Sequence, residues 1–210
     1  MLVITYYSNN GYKFMADRLQ NIIAGWEIPF RAYNREWLEE SNFYGYHKKL
    51  LDQPKGNGFW AWKPYIILDA LNKSDVVIYM DSSVVPESKN AIDELIKTTK
   101  DVGAIETGFF NRVWTKRDCF KNMNCDEEKY WNSYQIWAGV VVAKRSGRQI
   151  VDEWFCHCSG YFTISDEPSE DNFKGFREHR HDQSILTNVL IKHNQPFLHS
   201  LKFKDLVQYG

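Results

Sequence analysis

The chain has 210 residues, with 26 Lys and Arg against 27 Asp and Glu and a formal net charge of −1. That length suits one domain, 1–210, with a sizeable core, and the balanced charge excludes both a basic nucleic-acid surface and a charged disordered tail. No stretch reaches the roughly 20 apolar residues that span a bilayer. Aromatic residues make up 16% of the chain, an excess that suits stacking on nucleobases and sugar faces and equally suits core packing.

The opening MLVITYYSNN lacks the basic region and small-residue cleavage site of a secretory signal, so the expected location is cytoplasmic. Leu2–Tyr7 reads as a buried strand ended by the turn cluster Ser8-Asn9-Asn10-Gly11. Tyr6 and Tyr7 at its end are candidates for stacking on a base, or simply a core aromatic and a surface one. A helix is expected over Tyr12–Ala24, a strand over Glu27–Tyr33, and a helix over Arg35–Asp52 broken by Gln53-Pro54-Lys55-Gly56-Asn57-Gly58. Trp62-Lys63-Pro64 opens another helix, where Lys63 is placed to meet a diphosphate as a point charge.

Asp75–Met80 is a continuous apolar run of the kind found in a central parallel strand, and it stops at Asp81-Ser82-Ser83. A helix around Ala91–Thr99 and a strand over Val102–Glu106 follow, then a polar segment from Gly108 to Ser133 that reads as irregular. Gln135–Ala143 is a strand and Gly147–Cys158 a helix whose two cysteines face the core. Ser165–Phe176 reads as an acidic loop and Asp182–Ile191 as a final amphipathic helix. The alternation predicts one Rossmann-like α/β domain with a mostly parallel sheet flanked by helices. The four cysteines lack zinc-site spacing and read as reduced thiols.

Ligands of open α/β sheets bind beyond the carboxyl ends of strands, which is where Asp81 falls. A carboxylate on a rigid strand end suits Mg²⁺ or Mn²⁺ bridging to phosphate, although an isolated Asp-Ser also serves as a turn former or helix cap. Glu106 would close a neighbouring strand beside the same site, as an orienting group or base for an acceptor hydroxyl.

Four segments in order carry a resemblance. Asp81-Ser82-Ser83 resembles the D-x-D region of nucleotide-sugar transferases of the GT-A fold, and Tyr134–Val142 (YQIWAGVVV) resembles the strand that lies against the donor sugar in their glycogenin-like branch. His181-Asp182-Gln183-Ser184-Ile185-Leu186-Thr187-Asn188 is similar to their D-Q-x-x-L-N helix start, and Pro196-Phe197-Leu198-His199 to their late histidine segment. Trp62-Lys63-Pro64-Tyr65-Ile66-Ile67 is closer to short bacterial and viral transferases, among them the N-terminal domain of a multidomain chlorella-virus glycosyltransferase.

The resemblance implies a GT-A fold and transfer of a hexosyl or deoxyhexosyl unit from a nucleoside-diphosphate sugar, UDP-linked by default, to a saccharide hydroxyl with retention. It implies a divalent metal on Asp81, Ser83 and His199, donor contacts from Asp81, Ser82, Trp137 and Gly139, beside the candidates Tyr6 and Lys63 named from their positions, and Asp182 and Gln183 at the reacting centre. Gly108–Ser133 and Ser165–Phe176 would form the acceptor side and a lid. It leaves room for further domains after Gly210 and, for a viral protein, implies the host cytoplasm. Ser83 and Trp137 depart from the pattern, replacing a carboxylate and an asparagine. The competing readings are a non-catalytic sugar-nucleotide or carbohydrate binding module and, more remotely, a nucleotidyltransferase, whose Gly-rich N-terminal signature the Ser8–Gly11 turn lacks.

Overall fold

The first strand, β1 (Leu2–Tyr7), forms where the sequence is apolar without interruption, and Val3 to Tyr6 are buried. The computed structural model describes residues 1–168, 171–200 and 206–208. α1 (Asn10–Ala24) starts at once because the Asn9 side chain accepts from the Tyr12 amide, satisfying one of the free N–H groups of the first turn. β2 (Phe30–Asn34) begins at Phe30 and not at Glu27, since Glu27 turns the chain with φ of 57°. The helix expected over Arg35–Asp52 is split into α2 (Arg35–Glu39) and α3 (Asn42–Leu51), because Ser41 caps the second by accepting from the Tyr44 amide.

A tight turn, α4 (Gly56–Phe59), leads into α5 (Trp62–Leu71), which is buried along almost its whole length. The central strand β3 (Val76–Met80) is followed by β4 (Val84–Pro86), α6 (Lys89–Thr98) and β5 (Val102–Phe110), which runs past the expected end at Glu106.

The Gly108–Ser133 segment is not irregular. It folds into α7 (Asn111–Trp114), α8 (Arg117–Asn122) and α9 (Glu128–Trp131), with Asn111, Cys119, Phe120 and Tyr130 buried. Its polarity hid this because polar side chains there bond inward. Asn111 Nδ2 donates to Tyr130 O at 3.2 Å and Asn188 Oδ1 at 2.8 Å, while its Oδ1 accepts from Thr115 at 2.6 Å.

β6 (Tyr134–Lys144), α10 (Arg148–Cys158), α11 (Tyr161–Ile164), α12 (His181–Lys192) and β7 (Leu206–Gln208) complete the order. Cys158 faces the core, but Cys156 is exposed, which corrects the expectation for that pair. α12 is not amphipathic: it is buried from Ser184 to Leu190, packed against β6 and α10.

The main sheet has the order β2-β1-β3-β6-β5, with β1 parallel to β2 and β3, and β6 antiparallel to β3 and β5. Four strands thus share one direction and β6 alone opposes them, so the sheet is mostly parallel in sense. Alternation along β3 sends Val77 and Tyr79 into a core with α5, α10 and α12, and Ile78 and Met80 into a second core with α1 and α6. Helices therefore cover both faces, as a largely parallel sheet requires. No helix among the described residues is long and apolar enough to cross a membrane.

Candidate active site

Asp81 stands immediately after β3, its amide donating to Gly139 O of β6 at 2.8 Å. This bond ties the strand end to the middle of β6 and fixes where the carboxylate starts. Oδ1 accepts from the Tyr79 hydroxyl at 2.6 Å. Behind it lies Lys63, expected from the sequence as a point charge for a diphosphate, and it is buried in the first turn of α5. Its Nζ donates to Ala138 O at 3.0 Å and lies 3.0 Å from Asp182 Oδ2 and 3.5 Å from Asp81 Oδ1. One ammonium therefore joins three segments far apart in sequence.

Asp182, in the first turn of α12, is not its N-cap: Arg180 holds that position and the Asp182 carboxylate points to Lys63. The Lys63 contact is close, yet outside hydrogen-bond angles, and leaves Asp182 Oδ2 buried without a donor. Burial raises the Asp182 carboxyl to about 6, with the attraction of Lys63 partly offsetting and Asp81 adding to the rise. For Lys63 burial pulls downward, but Asp182 and Asp81 together hold the ammonium above its ordinary value. The cluster carries two carboxylates on one cation, a local negative charge that is open to solvent only through Asp81, whose side chain is 26% exposed.

Two cavities meet at Asp81 and Trp60. One, of about 510 Å³, is walled by Tyr6, Ser8, Asn9, Tyr12, Trp62, Ser82 and Ser83. Tyr6 is not an open stacking face: its ring lies on Trp62 at 3.9 Å between centroids, and its hydroxyl is buried without a partner. Tyr12, which the sequence reading passed over, is the exposed aromatic of this wall. Trp60 was also missed; its left-handed backbone (φ 60°) lays the indole over Gly56, where a Cβ would meet the ring at 2.4 Å. The clue was the cluster Gly56-Asn57-Gly58 ahead of an aromatic run.

The other cavity, of about 580 Å³, contains Lys63, Asp182, Gln183, Trp137 and Gly139. Gln183 is anchored, its Oε1 accepting from the Ala138 amide at 3.1 Å and its Nε2 donating to Gln135 Oε1 at 2.8 Å. Trp137 packs over Gly139, where a Cβ would sit 2.3 Å from the indole. Glu106 faces His199, with Nε2 to Oε1 at 3.6 Å, and the cavity wall beside it is Thr107 and Phe109. The Ser165–Phe176 loop, of which residues 169–170 lie outside the description, is tied down by Lys116 Nζ to Ser165 O at 2.8 Å and by Arg117 N to Asn172 Oδ1 at 2.9 Å.

Among the described residues no three His, Cys, Asp or Glu side chains gather into a shell that would hold a metal. Ser83 shares the smaller cavity with Asp81, whereas His199 is the partner of Glu106 on the far side of β6. Asp81 Oδ1 is taken by Tyr79, so Oδ2 is the oxygen left for a cation. This donor set fits a Mg²⁺-type ion held by one carboxylate and completed by water and substrate phosphates, not one caged by protein.

No protein-family model matches the chain, and no curated protein matches its sequence. Solved structures do match. Mouse xyloside xylosyltransferase 1 superposes with a TM-score of 0.50 at 10% identity, covering 94% of this chain and 83% of that one. The bifunctional glycosyltransferase WbbM gives 0.51 at 12% identity over 90% of this chain and 37% of its own. The fold is of the GT-A type. A glycosyltransferase involved in glycosylation of the major capsid of PBCV-1 aligns with 94% of this chain and 80% of its own at 10% identity and a TM-score of 0.44. In this GT-A chain the strand-end carboxylate, the helix lysine and the α12 carboxylate come together as one cluster.

Proposed function

We propose that the chain is a glycosyltransferase that moves a sugar from a nucleoside-diphosphate donor, UDP-linked, to a saccharide hydroxyl with retention of configuration. The observation that carries this reading is the position of Asp81, at the wall common to both cavities and ion-paired with the same buried lysine as Asp182. A donor has this bipartite shape: a nucleoside in the aromatic cavity beside Tyr6, Tyr12 and Ser82, a diphosphate at Asp81, and a sugar beside Lys63, Asp182 and Gln183.

A divalent ion on Asp81 Oδ2, with Ser83 nearby, would neutralise charge on the departing diphosphate when bound. The residues of the chain do the rest. Lys63 holds Asp81 and Asp182 in fixed positions, so their charges are oriented before substrate arrives. Gln183, locked to Ala138 and Gln135, presents its remaining amide N–H to the sugar. Trp137 covers the sugar and excludes water from that side. The acceptor oxygen bonds to the anomeric carbon as the bond to the diphosphate breaks, and its proton passes to the diphosphate oxygen that leaves. His199 is a further metal ligand in this reading only if the Glu106 pair opens.

Calorimetric titration of UDP and UDP-glucose with and without Mn²⁺ tests the reading, on the wild type and on Asp81→Ala. Metal-dependent binding that the substitution abolishes is expected. Equal binding by Asp81→Ala would remove Asp81 from the site and this assignment with it. The replacement of a carboxylate by Ser83 favours a second reading, a non-catalytic sugar-nucleotide binding module; donor binding without hydrolysis or transfer across an acceptor panel would select it.

A further inference from the structure

Charge around the larger cavity sorts with depth. On its floor Asp81 and Asp182 outnumber Lys63, while at its mouth Lys55, Arg177 and Arg180 outnumber Glu178 and the neighbouring Asp166. The chain as a whole has a net charge of −1, so the cationic rim is not inherited from a basic protein. Two of the rim cations are engaged. Arg180 lies 2.6 Å from Glu178 Oε1, and Lys55 lies 3.1 Å from Asp166 Oδ2. Arg177 has no carboxylate partner among the described residues; its guanidinium and that of Arg180 both lie over the Trp114 ring, 5.5 Å and 4.6 Å from the centroid.

Trp114 is a fixed platform. Its carbonyl accepts from Ser184 Oγ at 2.8 Å and from Gln135 Nε2 at 3.2 Å, and the Phe109 ring meets it edge-on at 6.0 Å. The backbone places the arginines beside it: Arg177 N donates to Val113 O at 2.8 Å and Arg180 N to Trp114 O at 3.0 Å. An indole that seats two guanidiniums, one of them without a carboxylate partner, fixes a fork suited to the anionic group of a sugar, because a guanidinium bonds two carboxylate or phosphate oxygens at once.

Resting on the transferase reading above, we propose that the mouth selects an acceptor saccharide that carries a carboxylate or phosphate, paired with Arg177, which Trp114 holds in place at the rim. The two charge layers then set the acceptor's direction. Its anionic end is repelled by the carboxylates of the floor and held at the rim, so a neutral hydroxyl end points inward to the donor.

The test compares methyl β-D-glucuronide and glucose 6-phosphate with methyl β-D-glucoside, by saturation-transfer NMR titration on wild type and Arg177→Gln, with UDP titrated separately. At least one anionic sugar should bind about tenfold tighter than the glucoside, the scale of one charge-assisted hydrogen bond. Which of the two does so separates carboxylate from phosphate. Arg177→Gln should erase the preference and leave UDP affinity unchanged, which also certifies its fold. Equal binding of all three sugars overturns the proposal. So does a variant that loses UDP as strongly as the anionic sugar, since Arg177 would then serve the donor. Wild type that prefers the anionic sugar but ignores UDP would support the rim site while failing the transferase reading.

Discussion

The floor and the mouth of one cavity use charge in opposite ways. On the floor, the Lys63 and Asp182 side chains are 4% and 5% exposed, and every distance among them is fixed by helix and strand. At the mouth, the Lys55–Asp166 and Arg180–Glu178 pairs are all close to half exposed. Buried charges act on one another at low effective dielectric and cannot be replaced by water, whereas exposed pairs are screened and contribute little to stability. The floor is therefore a preorganised electrostatic device, suited to stabilising charge that develops in a reaction. The mouth is suited to selecting and steering a substrate, at almost no cost to the fold.

This contrast makes its largest prediction for Lys63. Lys63→Met leaves Asp182 and Asp81 without their cation, and removal of one partner of a buried pair costs about 3–5 kcal/mol. Urea denaturation should show that loss, while Lys55→Gln and Arg180→Gln stay within about 0.5 kcal/mol of wild type. A Lys63→Met protein as stable as the rim variants would mean that the two layers are energetically alike. Adding Asp182→Leu to Lys63→Met should recover part of the loss, because the double variant leaves one fewer uncompensated charge.

The next effect is on pH dependence. Burial lifts the Asp182 carboxyl to about 6, above its ordinary value of 3.8. Between those values the folded chain holds a proton that the unfolded chain has released. Stability from this group is thus complete below about 4 and lost as pH rises through 6, on the order of 3 kcal/mol. Lys63, held above its ordinary value, contributes stability that is lost only in the alkaline range and does not interfere. Denaturation midpoints of wild type and Asp182→Asn between pH 4 and pH 7 check the sign. The wild type should lose stability relative to the variant across that window, and parallel curves would place the titration of Asp182 elsewhere.

The floor was legible in the sequence and the mouth was not, for a physical reason. Asp81 ends the most apolar strand, and Asp182 and Lys63 start helices, positions where regular structure makes a side chain's place readable from its neighbours. Their assembly was hidden, since only the register of β3 on β6 brings Ala138 and Gly139 to Lys63 and Asp81. The mouth comes from segments with no periodicity. Arg177 and Trp114 meet through backbone bonds between an extended loop and α7, in the region whose polar composition read as irregular. The buried amide of Asn111, which helps set that region in place, looks in the sequence like any polar loop residue, and that of Gln135 like the polar start of a strand.

The smallest predicted effects separate the cavities themselves. Trp60 belongs to both walls, whereas Trp114 belongs only to the larger cavity. Trp114→Ala should weaken methyl β-D-glucuronide severalfold and leave UDP untouched, because its ring seats Arg177 at the rim. Trp60→Ala should weaken both ligands, with UDP reduced by about tenfold if a base stacks there with the strength typical of aromatic platforms. Equal and selective effects of the two substitutions on UDP alone would merge the cavities into one donor groove. The rim cations would then belong to the donor's phosphates, and the depth ordering of charge would describe a single ligand and not two.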